Sequence, residues 1–306
     1  MQQTWADVYP SKPIRLISPY AAGGGSDALA RNIAQKLTES WGQAVVVDNR
    51  PSSGGNLGAE IVAKSTPDGY TLFITPSAVL TINPHLYPKL RYDTFKNFSM
   101  VMAATNSPYF VVSHPKIPVS SIKELISYAK ANPGKLNFSS SGNGSSTHLA
   151  GVLFNTMAGI NTVHIPYKGA APAIVDLLAG NVQMRFASVV PVLPHVKNGR
   201  LKGLAMTSLK RYSPMPEVPT VAESGLPGYV VESFYIVAAP GGTPRAILDK
   251  LNAELRVKLK DPAFSAHMAA DGAEVIAASI ADSERMLKED YARWAKPVKD
   301  SGAQVD

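Results

Sequence analysis

The chain has 306 residues, 45% of them hydrophobic and 17% charged, with no cysteine and a formal net charge of +7. That length allows two lobes with a core each, and the missing cysteine excludes disulfides, thiolate metal sites, a cysteine nucleophile and a lipid-modified N-terminal cysteine. Lys and Arg are scattered and never interleaved with aromatics, which argues against a nucleic-acid partner, and no apolar run approaches the ~20 residues that span a bilayer.

The opening Met1-Gln2-Gln3-Thr4-Trp5-Ala6-Asp7 lacks the charged-then-apolar layout of a signal peptide. Those residues leave open a cytoplasmic chain and a mature exported form with an added Met1. From there, short apolar runs alternate with helical patterns, the mark of an α/β protein with mostly parallel sheets flanked by helices. Ile14 to Ser18 reads as the first strand, and Leu29, Ile33, Leu37 and Trp41 form a helical stripe. Ala44 to Val47 is a strand, Asn56 to Lys64 a helix and Thr71 to Ile74 a strand. A second set begins near Tyr109 to Val112. Ser121 and Glu124 resemble a capping box for a helix carrying Ile122, Leu125, Ile126 and Ala129. Leu136 to Phe138, Val163 to Ile165, Val182 to Val189 and Gly203 to Thr207 read as strands, with helices at 147–157 and 171–179, the latter stopped by Gly180. Leu248, Leu251, Leu255 and Leu259 mark a late helix, and Leu287, Tyr291, Trp294 and Val298 another.

Two segments carry the chemistry. Pro19-Tyr20-Ala21-Ala22-Gly23-Gly24-Gly25-Ser26-Asp27 and Ser139-Ser140-Ser141-Gly142-Asn143-Gly144-Ser145-Ser146-Thr147 each join a strand to a helix. Glycines let the backbone approach a ligand, while the first helical turn offers unpaired N–H groups and the positive end of the dipole, which suits an anion. Pro51 to Asn56 has similar character. A rival reading uses Gly23-x-Gly25-x-x-Ala28 as a dinucleotide fingerprint with Asp48 as the ribose contact, in a nucleotide-dependent enzyme. Against it, Pro19-Tyr20-Ala21-Ala22 intervenes between the strand and the first glycine. Catalysis has no positive support: no H-E-x-x-H, no G-x-S-x-G, and His148 beside Ser145, Ser146 and Thr147 reads as a helix-start residue, as does Asp27.

The chain resembles the tripartite tricarboxylate transporter substrate-binding family, the Bug or TctC-like receptors. The likeness runs from Tyr9-Pro10-Ser11-Lys12-Pro13-Ile14 through Pro19 to Asp27, Asn49-Arg50-Pro51, Gly54 to Gly58 and Pro67 to Leu72. It continues through Gly144 to Leu149, His164 to Gly169, Pro216 to Thr220 and Ala239 to Pro244. The resemblance implies a two-lobed periplasmic binding protein of Venus-flytrap form, with residues 1–104 plus 232–306 in one lobe and 105–231 in the other. It also implies a periplasmic location, an exported precursor, no cofactor, a monomeric receptor, and delivery of a small carboxylate to the membrane permease subunits of such a transporter. A receptor feeding a sensor kinase would use the same cleft.

The resemblance further implies ligand contacts from Tyr20, Ala21, Ala22, Gly23, Gly24, Ser26 and Asp27 in one loop, and from Ser141, Gly142, Asn143, Ser145, Ser146, Thr147 and His148 in the other. Ser77, Tyr167 and Ser188 are expected ligand contacts as well. Relatives often carry a Thr-His pair where this chain has Val79-Leu80, an acid where it has Ala187, and an aromatic pair at Phe234-Tyr235 that closes over the ligand. Those departures suggest a dicarboxylate with an apolar body, aromatic such as terephthalate or aliphatic such as adipate. Arg185 shares a strand face with Ala187 by alternation. It suits either a distal carboxylate or a strand-edge surface position.

Overall fold

The structure, a computed structural model, describes residues 9–22, 25–167, 169–270 and 272–303. The chain divides into two compact units, Met1–Asn106 with Phe234–Trp294 and Ser107–Ser233 with Ala295–Asp306.

The first unit opens with strand β1 (Ile14–Ser18), helix α1 (Gly25–Trp41) and strand β2 (Val45–Asn49). A 3-10 turn (Ser53–Gly55), α2 (Asn56–Ala63), β3 (Thr71–Pro76) and two short helices, α3 (Ala78–Thr81) and α4 (Asn83–Leu86), follow. Strand β4 (Phe98–Ser113) then carries the chain across the boundary. In the second unit come α5 (Ile122–Ala131), β5 (Asn137–Ser140), α6 (Ser146–Ala158), β6 (Val163–Pro166), α7 (Ala170–Ala179), β7 (Met184–Ser188), α8 (Val189–Lys197) and β8 (Lys202–Met206). The return brings β9 (Glu232–Pro240), α9 (Arg245–Leu259), α10 (Pro262–Ala270), β10 (Glu274–Val275) and α11 (Ile280–Ser301).

In the first unit the strand order is β2-β1-β3-β9-β4, with β10 on β4. Strands β2, β1 and β3 run parallel, β9 is antiparallel to β3, and β10 is antiparallel to β4. Successive side chains of β1 take opposite faces. Ile14 and Leu16 enter a core with Leu29, Ile33 and Leu37 of α1 and the leucines of α9. Ile17 enters a second core with Phe73, Val79, Leu80 and Phe234. In the second unit the order is β4-β7-β5-β6 with β8 also on β4. Here β6, β5 and β7 are parallel, and β4 is antiparallel to both β7 and β8. Each sheet thus has a parallel part, as the alternating sequence implies, and antiparallel crossing strands that it did not announce.

Two local signals act as read. Ser121 Oγ accepts from the Glu124 amide at 3.2 Å, and Glu124 reciprocates by accepting from the Ser120 amide at 2.7 Å. The C-terminal helix differs from the reading that kept 232–306 in one lobe, because the residues from Ala295 on group with the second unit. Helix α11 has 22 residues and is about 33 Å long, with Leu287, Trp294 and Val298 buried along it.

Candidate functional site

Strand β1 ends at Ser18, which is fully buried with a hydroxyl that has no hydrogen-bond partner. Pro19 and Tyr20 follow, and Ala21 and Ala22 are exposed. Gly23 and Gly24, both expected ligand contacts, lie outside the described residues. Helix α1 then presents Ser26 and Asp27 in its first turn, both buried. Asp27 holds the turn in place: it accepts from Arg31 Nε at 2.9 Å and from Asn49 Nδ2 at 3.1 Å, and Asn49 also donates to the Tyr20 carbonyl at 3.0 Å. Its carboxylate is therefore committed to the protein. Ser26 Oγ, by contrast, is buried without a partner. A buried hydroxyl beside a helix N-terminus leaves a donor for an incoming anion, where an unsatisfied polar atom is otherwise costly. Tyr20 is half-buried, and burial, together with Tyr235 and Tyr87, pushes its phenol up to about 12. It stays a neutral donor.

Four expected contacts of this unit have other tasks. Val79 and Leu80 are buried in the core with Ile17 and Phe73. Their carbonyls accept from the hydroxyls of Tyr92 and Thr94, each at 2.6 Å. Phe234 is also in that core, and its carbonyl accepts from the buried Ser77's amide at 2.7 Å. The physical reason is strand parity: on β9, Phe234 faces the core, so its half-buried neighbour Tyr235 faces the other way. Tyr235 is the aromatic of this pair whose phenol acts on Tyr20.

In the second unit β5 passes through residues 141–145 into α6. Gly142 and Gly144 have φ of +132° and +71°, which L side chains rarely adopt. The loop is tied internally. Ser145 Oγ donates to the Gly142 carbonyl at 2.7 Å and accepts from the His148 amide at 3.3 Å. Thr147 Oγ1 accepts from the Ser141 amide at 3.0 Å, and His148 Nδ1 accepts from the Gly144 amide at 3.2 Å. The amides of Asn143, Ser146 and Thr147 donate to nothing among the described residues. So the serines, Thr147 and His148 shape the loop, and three backbone N–H groups are left over. His148 stacks on His164 with ring centroids 3.7 Å apart, and burial pushes both imidazoles down to about 4. His164 also meets Ser140 Oγ at 2.6 Å. At neutral pH the pair is uncharged.

Under this loop lies Arg185, with 1% of its surface exposed. The surface-arginine reading is thereby corrected: β7 is buried on both faces from Met184 to Ala187, and Arg185 shares its face with Ala187, which lies in the core with Phe110, Val112 and Leu177. Ala187 is accordingly not a free wall for a ligand. Arg185 Nη2 donates to Ser141 Oγ at 2.9 Å and Nη1 reaches Ser139 Oγ at 3.5 Å. Ser188, the next residue on the opposite parity, is exposed. Tyr167 is half-buried and donates to Asp176 at 2.6 Å; burial, then Asp176, raises its phenol to about 12. Its own amide ties back to the Ser140 carbonyl at 3.3 Å, so it braces the loop from the side.

The dinucleotide alternative loses its acid. Asp48 is bound by Arg15 Nε at 2.6 Å and by Arg50 Nε at 2.9 Å. Burial works against its charge, but the bonds from Arg50 and Arg15 outweigh it and hold the carboxyl below its ordinary range. Among the described residues no group of three or more His, Asp or Glu is placed to hold a metal, and no helix is long and apolar enough to cross a membrane.

Residues 29–303 match the family model described as the tripartite tricarboxylate transporter family receptor. This chain belongs to that receptor family. The receptor is 37% identical over 301 residues to BugT of Bordetella pertussis, covering 98% of this chain and 92% of BugT. Its fold matches the solved structure of R. palustris Rpa4515 with adipate at a TM-score of 0.77 and 36% identity, over 97% of this chain and 100% of that one. It also matches MatC from Rhodopseudomonas palustris with bound malate at 0.73 and 29%, over 95% and 100%. The family is one of solute receptors, not of enzymes.

Sequence reasoning missed the orphan hydroxyl of Ser18, the stacked His164 and the support from Asn49. Ser18 carried one available signal, a polar residue closing an otherwise apolar strand at the mouth of a glycine-rich turn.

Proposed function

We propose that this receptor binds a small dicarboxylate, and that it is exported and passes its ligand to the permease subunits of a tripartite tricarboxylate transporter. The observation that carries the ligand class is the pair of strand-to-helix turns, one in each unit. The first holds a buried unpartnered Ser26 hydroxyl at the start of α1, and the second three uncommitted amides at the start of α6. Both are built for oxyanions, and neither places an ionised acid free to meet a ligand's ammonium group.

Adipate and malate, found with two solved relatives, support the same class. The earlier case for an apolar ligand body rested on Val79, Leu80 and Ala187, and these side chains are spent in the cores. The choice between an aliphatic and an aromatic diacid therefore rests on experiment. Titration calorimetry of the full chain against adipate, terephthalate, malate, citrate and glutamate tests the proposal. A diacid is expected to bind at least tenfold tighter than citrate or glutamate; preference for glutamate, or no binding to any of the five, would overturn it.

A further inference from the structure

Arg185 has a defect that the fold does not repair. Its guanidinium is buried on β7, yet among the described residues no carboxylate pairs with it, and Nε has no hydrogen-bond partner at all. The contacts it does make, Ser141 Oγ at 2.9 Å and Ser139 Oγ at 3.5 Å, are to neutral hydroxyls. Burial lowers its pKa to about 10, and Tyr109 on the neighbouring β4 is the titratable group that acts on it. The side chain is therefore still charged at neutral pH. A buried cation without a counter-ion is strongly destabilising, whereas a hydrophobic side chain of similar volume is tolerated at such positions.

We propose, building on the carboxylate-receptor reading, that Arg185 is a specificity-determining residue whose missing counter-ion is a second carboxylate on the ligand. Nε and Nη2 form one edge of the guanidinium, the edge that receives a carboxylate through two parallel hydrogen bonds. Nε is free, and Nη2 is occupied only by Ser141, a half-buried residue of the loop itself. Moving the Ser141 hydroxyl aside opens that edge at the cost of one hydrogen bond to a hydroxyl, and a carboxylate there replaces it with two ion-pair hydrogen bonds. The uncommitted amides of Ser146 and Thr147 suit one acidic group; Arg185 requires another. Monocarboxylates of the same length leave the guanidinium unpaired and bind weakly.

The test compares adipate with hexanoate, which keeps the chain and loses one acid, in wild-type, Arg185→Met and Arg185→Lys proteins. Wild type is expected to prefer adipate by a hundredfold or more. In Arg185→Met adipate weakens by that factor, hexanoate changes less than threefold, and the ligand-free protein melts higher because the unpaired charge is gone. Arg185→Lys, a charge without the planar fork, falls between the two. Equal loss of both acids with a lower ligand-free melting temperature would make Arg185 a structural strut and overturn the proposal. Wild type binding hexanoate as tightly as adipate would overturn it without help from any variant, and would leave the carboxylate reading standing. Failure of wild type to bind any carboxylate would remove both.

Discussion

Gly151 lies inside α6 where the Phe138 ring of β5 occupies the space of a side chain. A Cβ there would meet Phe138 Cε2 at 2.2 Å, Cζ at 2.6 Å and Cδ2 at 2.7 Å. Ordinary contact starts near 3.4 Å, so Gly151→Ala forces α6 and β5 about 1 Å apart or drives the ring out of place. The ring has nowhere to go: it is buried, with His164 at 5.0 Å and Phe186 edge-on at 6.5 Å. Overpacking of this kind costs about 1–3 kcal/mol, against a gain of about 1 kcal/mol for Ala over Gly in a helix. An approach of 2.2 Å belongs at the upper end of that range, about 2–3 kcal/mol, so the expected balance is a loss of ~1–2 kcal/mol, a fall of roughly 3–8 °C in the melting temperature. The 141–145 loop is strung between these two elements, so affinity for adipate should fall with it. The control is Phe138→Leu, which alone costs about 1 kcal/mol or more but makes room for the new methyl. In the double variant the losses should fall short of additivity by at least ~1 kcal/mol. An alanine variant that melts at or above wild type, or a strictly additive pair, refutes the steric account.

The stacked histidines give the receptor an acid limit. Both native imidazoles sit near 4 while an unfolded chain's titrate near 6.5, so between those values the unfolded state takes up protons the native state refuses. Stability is full above about pH 6.5, falls as pH drops toward 4, and levels off below as far as this pair is concerned. His164 is only half-buried, so the fall should be about 1–2 kcal/mol in urea titrations at pH 7 and 4.5, and much smaller in His148→Phe; a flat wild-type profile contradicts this. On α11, Asp290 is buried and its carboxyl is raised mainly by burial, although Thr81 at 2.8 Å and Trp294 Nε1 at 3.0 Å donate to it. Its protonated form is the native-favoured one, so its contribution is greatest at acid pH and declines as pH rises through the raised value. Asp290→Asn keeps one acceptor oxygen for Trp294 Nε1 and turns its Nδ2 toward the Thr81 hydroxyl, which can accept while donating to the Ser77 carbonyl; it carries no charge and should be within about 1 kcal/mol of wild type at pH 7. Asp290→Leu strands the indole N–H, leaves the Thr81 hydroxyl with only the Ser77 carbonyl, and should cost about 2–3 kcal/mol, as read by thermal melting; equal losses in the two variants would show that the hydrogen bonds are immaterial.

How much of this fold the sequence disclosed depends on whether the deciding contacts are local. The stripe Leu29, Ile33 and Leu37 is buried on one face of α1 because a 3.6-residue repeat fixes that face without reference to anything distant. Ser121 and Glu124 cap α5 for the same reason. Strand β4 is the counter-example. Sequence reading found only Tyr109 to Val112, but the strand runs Phe98–Ser113. Its middle passes through Thr105-Asn106-Ser107, polar residues that look like a break, and its outer parts are buried on both faces, so no alternation marks them. Helix α8 is not found: the sequence reading runs a strand to Val189 and assigns nothing to 190–197, where Pro191 and Pro194 interrupt a helical pattern. Pro194 lies inside the helix, so the preceding turn tolerates it.

The site divides along the same line. Glycine, serine and a helix start are short-range features, so both turns could be found from the chain alone. Which side chains turn toward a ligand is a long-range matter. Period-2 alternation correctly put Arg185 and Ala187 on one face of β7, but it cannot say whether that face is core or surface. Packing decides: β7 is enclosed on both faces from Met184 to Ala187, so Arg185 is buried whichever face it takes. A lysine or arginine on a buried face normally finds an acid on a neighbouring strand, because the cost of leaving it alone exceeds what a single domain can spare. The strands beside β7 supply Ser139, Ser141 and Tyr109 instead. A folded chain can carry that imbalance only if its net stability is sufficient without the missing partner. It then gains stability when an external anion arrives, since any molecule that binds the native state alone stabilises it by mass action. The same residue that weakens the empty receptor would therefore link its melting temperature to diacid concentration more steeply than to monoacid concentration, and that difference is a physical signature of the ligand being the counter-ion.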